Sequence, residues 1–393
     1  MIGWLGDWAN LLLRWTHFIA GIAWIGSSFY FIWLDRALTK PERPRPGVEG
    51  DLWMVHSGGF YQVEKRRPGP GEIPPVLHWF KWEAMLTWMT GISLLVLLYY
   101  IGGAYLLDPS VSRIGRGAAT ALGIVLLVIG WFVYDWLWGR ARFPAPAATT
   151  VSIALLVLAA FLLCRLLSGR AAFMHIGSLL GTIMVANVWL RILPAQQQML
   201  DATRAGRPAD FTLGERAKQR SVHNSYMTFP LLFIMLSNHF PATYASPINW
   251  IVLLLLCVAG GAVRHAMIGR GPKHAWALAP AALALAGAML LSTPRAAAGP
   301  PANNATVPSF QAVRAVITQR CQPCHSLYQS DRSVGPAPGG VTFDTPESIA
   351  RAAARIRIRA VETKTMPLAN KTGMTQEERD LLARWIAAGA PLR

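Results

Sequence analysis

Charged side chains are scarce in this chain of 393 residues, at 15% of the total, and cysteine is scarcer, at four. The first shortage, beside 53% hydrophobic residues and 16 Trp, is the composition of a membrane protein, and the length leaves room for two domains. Acidic residues are also few, which leaves a formal net charge of +17. The Lys and Arg are not gathered in one patch. They lie in short segments between apolar runs, which argues for membrane topology and against a nucleic-acid partner. No basic region precedes the first apolar run, and that run is too long for a cleavable signal peptide.

The apolar runs predict eight helices long enough to cross about 30 Å of hydrocarbon. They fall near 11–34, 84–106, 117–138, 147–167, 172–193, 222–240, 247–266 and 276–292. The loops after helices 1, 3, 5 and 7 carry nineteen Lys and Arg, among them Arg36, Lys65, Arg140, Arg142, Arg191, Arg220, Arg264 and Arg270. The loops after helices 2, 4 and 6 carry only Arg113, Arg116 and Arg170. Positive loops stay in the cytoplasm, so both termini are expected outside, in the periplasm of a bacterial inner membrane.

The cysteine shortage gains meaning in the tail. Cys164 and Cys257 lie inside apolar runs and read as packed thiols, whereas Cys321 and Cys324 stand in "RCQPCHSLYQS". A structural zinc site wants a second such pair, and a thioredoxin-type site wants a βαβ context; both are absent from the sequence. What is present is Cys-x-x-Cys-His, the attachment motif of c-type haem: two thiols on one short turn form thioethers, and His325 turns its imidazole to the iron. No histidine follows His325, so the sixth ligand is expected to be a Met, and Met366 is preferred to Met374, which abuts the last helix. The tail resembles the class I cytochrome c family, in which a Met-Pro pair lies in the loop before the final helix; Met366–Pro367 matches. The final helix is expected in "TQEERDLLARWIAAGA", with Thr375 and Glu378 as a capping box. Thr342, Phe343, Asp344 and Trp385 are expected to pack around the haem.

These runs define the expected architecture. It is all-α: an eight-helix transmembrane domain at 1–293, a small-residue, Pro-rich linker at 294–308, and a class I cytochrome c-like helical domain at 309–393.

Polar residues inside a membrane are functional candidates by default. His17 shares one helical face with Gly21, Trp24, Ser28, Phe31 and Asp35, and His175 is expected at a similar depth. At the opposite, inner level lie Asn187, Arg191, His223, Asn224, Tyr226, Arg264 and His265. The stretches "RWTHFIAGIAWIGSSFYFIWLD", "HSGGFYQVEK" and "HWFKWEAMLTWMTG", with the terminal "CQPCH", resemble the membrane-bound, cytochrome c-linked urate oxidase (urate hydroxylase) family along essentially the whole chain. The resemblance implies conversion of urate and water to 5-hydroxyisourate, with electrons leaving through haem c to a respiratory oxidase or a soluble cytochrome.

It implies no residue roles in the membrane half. There the residues themselves suggest Arg191, Asn187, Asn224, Tyr226 and Arg264 for binding a planar anion, and His223 or His265 as the base. A haem b held by His17 and His175 would bridge the two sides. Competing readings are a non-catalytic electron-transfer module passing electrons from a b haem or quinone to haem c, and a different membrane oxidoreductase.

Overall fold

The computed structural model describes residues 2–102, 105–139, 143–269, 272–293, 307–331 and 337–392. Arg140, Arg142 and Arg270, and most of the expected linker, lie outside the described residues.

The apolar runs become long helices: α1 (Ile2–Ala37), α2 (Trp82–Leu95, continued by a π-helical turn at Val96–Ile101), α3 (Arg116–Trp138) and α4 (Ala145–Leu166). Then come α5 (Gly169–Asn187), α6 (Leu193–Arg204), α7 (Phe211–Ser237), the short α8 (Pro241–Ala245), α9 (Asn249–Ile268) and α10 (Leu278–Ser292). Seven of the described helical segments are long and apolar enough to cross a membrane, compatible with a multi-pass membrane protein. The expected sixth run is a helix too, α7, but Arg220, His223, Asn224 and Tyr226 make its first half too polar for that group.

Two features depart from the expected pattern. The fifth helix does not stop near 193: one π-helical turn, Val188–Ile192, carries α5 into α6 without a break. The all-α expectation also misses a β-hairpin in the first basic loop, β1 (Val48–His56) against β2 (Gly59–Arg66). Apolar residues scattered through a charged loop read as irregular chain until the turn is noticed. Ser57 and Gly58 both have positive φ, 48° and 76°, as a two-residue primed turn requires.

α5 lies at the centre, with Phe173, His175 and Ile176 wholly buried. It packs against α2, α3, α4 and α7; α1 lies along α2, and α7 packs on α9, which packs on α10.

The tail has a core of its own. Phe310, Val313 and Ile317 of α11 (Phe310–Arg320) meet Leu382 and Trp385 of α14 (Gln376–Ala387). Ile349 and Ile356, from α12 (Pro346–Arg351) and α13 (Ala353–Ile356), complete it. The expected capping box is present: Glu378 N–H donates to Thr375 Oγ1 at 3.3 Å, and Thr375 N–H to Glu378 Oε2 at 2.8 Å. Arg359 of the tail interacts electrostatically with Tyr244 of α8, and Arg379 with Asp108. The tail thus meets the helical bundle at the end opposite the basic loops.

Candidate functional site

Near the basic end, α3, α5 and α7 hold a polar network. Asp135 of α3 accepts from Arg191 Nε at 2.8 Å and from Arg220 Nη2 at 3.0 Å, and Arg191 Nη2 completes the ion pair. Arg220 is buried, lies 4.8 Å over the Tyr134 ring, and donates Nη1 to Asn187 Oδ1 at 3.3 Å. Asn187 Nδ2 donates to Tyr134 Oη at 3.1 Å and to Asn224 Oδ1 at 2.8 Å, and Asn224 Nδ2 donates to Met184 O at 2.9 Å. Buried polar groups must be satisfied, and these satisfy one another. Sequence reasoning missed Asp135 and did not single out Arg220. The signal was an acid near the end of an otherwise apolar helix.

Beside this network a small cavity of about 60 Å³ lies between α1, α5 and α7. Trp24, Ser28 and Phe29 come from α1, Met184 from α5, and Asn224, Ser225 and Thr228 from α7. Behind Phe29 and Ser225 stands Arg264, 3% exposed. Its Nε donates to Ser225 Oγ at 2.7 Å, and its guanidinium carbon lies 3.8 Å from the centre of the Phe29 ring. Its Nη2 has no partner; among the described residues the only other buried side-chain polar atom in that condition is Trp189 Nε1. An unmatched guanidinium N–H in a low-dielectric wall is costly unless an acceptor arrives.

Of the expected substrate-binding and catalytic residues, only Asn224 lines this cavity. Arg191 is half exposed and held by Asp135. Tyr226 Oη and His265 Nδ1 are 2.7 Å apart, and His265 Nε2 lies 3.3 Å from His274 Nδ1. His223 Nδ1 lies 2.8 Å from Tyr134 Oη, with the Trp138 ring edge-on to the imidazole. Neither His223 nor His265 lines the cavity.

Towards the other end, His17 Nδ1 is 2.9 Å from Thr87 O and 3.1 Å from Thr90 Oγ1 on α2. His175 has both ring nitrogens engaged, Nδ1 by Ala171 O at 2.8 Å and Nε2 by Tyr100 Oη at 3.0 Å. α3 approaches His175 so closely that a Cβ on Gly123 would stand 2.6 Å from Nε2. These surroundings do not fit a haem iron on His175.

In the tail, α11 ends at the Cys-x-x-Cys-His turn. His325 N–H donates to Cys321 O at 2.9 Å and Cys324 N–H to the same carbonyl at 3.2 Å, which brings both thiols and the imidazole onto one short loop. Neither cysteine is in a disulfide. Burial pushes the Cys321 thiol up to about 12 and raises that of Cys324, while burial lowers the imidazole of His325 and favours its neutral form. His325 Nδ1 is 3.0 Å from Val341 O, so Nδ1–H donates there and Nε2 is the lone-pair nitrogen. Phe343 N–H donates to His325 O at 2.9 Å and its ring lies 5.3 Å from the imidazole, while Asp344 accepts from Ser326 Oγ at 2.5 Å.

The two methionines differ. Met374 is 3% exposed, inside the tail's core. Met366 is half-buried; its N–H donates to Arg359 O at 2.8 Å and its carbonyl accepts from the buried Arg379 at 2.8 Å. This donor set fits a c-type haem: free thiols, an oriented imidazole and a thioether on a clamped loop. Among the described residues no cluster of three or more His, Cys, Asp or Glu side chains could hold a bare metal ion.

A family model described as urate oxidase N-terminal matches residues 3–293, the whole helical bundle but not the tail. No curated protein and no solved structure matches.

Proposed function

Because the chain belongs to the urate oxidase N-terminal family over residues 3–293, we propose that it is a membrane-bound urate hydroxylase that passes its electrons to its own tail. The reaction is urate + H₂O → 5-hydroxyisourate + 2 e⁻ + 2 H⁺. α7 serves as the eighth span of the bundle, both termini are periplasmic, and residues 309–393 are a class I cytochrome c domain with its own core.

The observation that carries this reading is Arg264. Urate is a planar anion at neutral pH, and behind the cavity residues Phe29 and Ser225 stands a buried cation with an unused N–H. Ser225 accepts from Arg264 Nε, so its own proton is left for an acceptor on the ring. Asn224 is fixed by Asn187 and Met184, and so presents a pre-set amide to the ligand. Of the two candidate bases, His265 follows Arg264 on α9, with Tyr226 at its Nδ1 and His274 at its Nε2.

In the tail, Cys321 and Cys324 would tether haem c, with His325 and Met366 as axial ligands. Bound there, the haem supplies a one-electron acceptor of raised potential. A respiratory oxidase or soluble cytochrome then takes the electrons onward. No haem b enters the proposal, because His175 has no free nitrogen to offer.

One assay tests the whole reading. Membranes containing the protein, kept without oxygen and given urate, should show the absorbance of reduced haem c, together with 5-hydroxyisourate. If haem c is present and chemically reducible but urate leaves it oxidised, the reading is wrong.

A further inference from the structure

The hairpin β1–β2 is tied to the exit of α1. Asp51 and Thr39 exchange backbone hydrogen bonds of 2.9 and 3.1 Å, and Lys65 pairs with Asp35. From Asp51 the strand turns back along the helix. Three residues on, Met54 Sδ lies 3.6 Å from Tyr30 Oη. Three strand residues cover about 10 Å. Tyr30 likewise lies about 10 Å before Ala37 on the helix axis. The hairpin therefore lies against α1 with its turn directed towards the middle of that helix, not away from the bundle.

Met54 uses one face of the ribbon on Tyr30. By strand alternation Trp53 and Val55 point to the other face, and Phe60, paired with Val55, joins them. These three are 66%, 71% and 79% exposed. At the same end of the bundle Phe31, Trp33, Phe80 and Trp82 are exposed as well. Beyond this apolar level, nearer the exit of α1, lies a level of ion-paired charges. Lys65 and Lys218 share Asp35, and Arg45 and Arg67 pair with Asp51, Glu64 and Glu49 at the open end of the ribbon.

We propose that the hairpin Val48–Arg66 is an interfacial anchor, with Trp53, Val55 and Phe60 lying in lipid where α1 leaves the bilayer. The inference rests on the membrane reading of the apolar helices. Aromatic side chains favour the boundary between headgroups and acyl chains, and the ion-paired charges one level out belong in the polar headgroup layer. The exposed turn at His56–Gly59 carries open backbone groups, which hold the ribbon at the boundary and not in the hydrocarbon centre.

The test uses the full chain in vesicles of phosphatidylethanolamine and phosphatidylglycerol, with a fluorophore on Phe60→Cys or on Ile129→Cys, the unsubstituted protein giving the background from native thiols. Ile129 is an exposed position within α3. Lipids carrying a nitroxide near the headgroup should quench the Phe60→Cys label more than lipids with a nitroxide at the chain end, and the order should reverse for Ile129→Cys. If Ile129→Cys is quenched by lipid while Phe60→Cys responds only to aqueous iodide, the anchor is wrong and the membrane reading stands. If neither label responds to lipid nitroxides, the membrane reading itself fails. Shielding of Phe60→Cys from both quenchers, with self-quenching between labels, would assign the face to a second copy of the chain and overturn the proposal.

Discussion

Arg264 lies 3.8 Å above the centre of the Phe29 ring, and its Nη2 is buried without a partner. Phe29 and Ser225 line one cavity and Arg264 packs behind them, though the three come from α1, α7 and α9.

Arg264→Ala should therefore reduce the catalytic efficiency of urate-dependent haem c reduction by about ten- to a hundredfold, the equivalent of losing a charge-assisted contact of about 1.5–3 kcal/mol. Arg191→Ala should have a much smaller effect, because Arg191 is half exposed and already paired with Asp135. Anaerobic kinetics of the two variants decide it; equal losses would move the anion site to Arg191.

Asp135→Asn should act on stability before activity. Arg220 is buried and depends on Asp135 for its opposite charge. Removing one member of a buried pair costs about 3–5 kcal/mol. The outer pair with Arg191 is solvated and adds little. A lowered unfolding midpoint in detergent, with no parallel change in Arg191→Ala, is the expected result.

The two tail methionines should separate cleanly. Met366→Ala should keep covalent haem but lower its reduction potential and change its spectrum, because the thioether ligand is lost. Met374→Ala should leave the potential alone and destabilise the tail by about 2–5 kcal/mol, as for a truncated core side chain. Potentiometric titration of both variants distinguishes them. Cys321→Ala or Cys324→Ala should reduce or abolish haem staining in a denaturing gel.

Sidedness is open to a direct test. The cavity lies towards the basic loops and the tail meets the opposite end. In sealed vesicles of known orientation, urate at the cytoplasmic face should reduce haem c, and urate confined to the periplasmic face should not. Equal rates from both faces of an intact membrane would shift the substrate to the level of His17.

The sequence by itself determined the elements whose causes are local. Apolar runs gave the long helices to within a few residues, apart from α1, α5 and α7, which run on past them. Thr375 and Glu378, three residues apart, dictated the start of α14, and the spacing of Cys321, Cys324 and His325 confined three possible haem-binding groups to one turn. Tertiary structure alone decided which polar group meets which. Arg191 and Arg264 look alike in sequence, each a cation near the end of an apolar helix. Packing gives Arg191 to Asp135, 56 residues away, and leaves Arg264 buried with an N–H to spare. Likewise His175 reads as a ligand until α3 and Tyr100 close on both sides of its ring. A helix's periodicity fixes which face a side chain occupies, but its partner depends on which other helix is pressed against that face. That is set by the summed burial of the whole bundle and by no short stretch of chain.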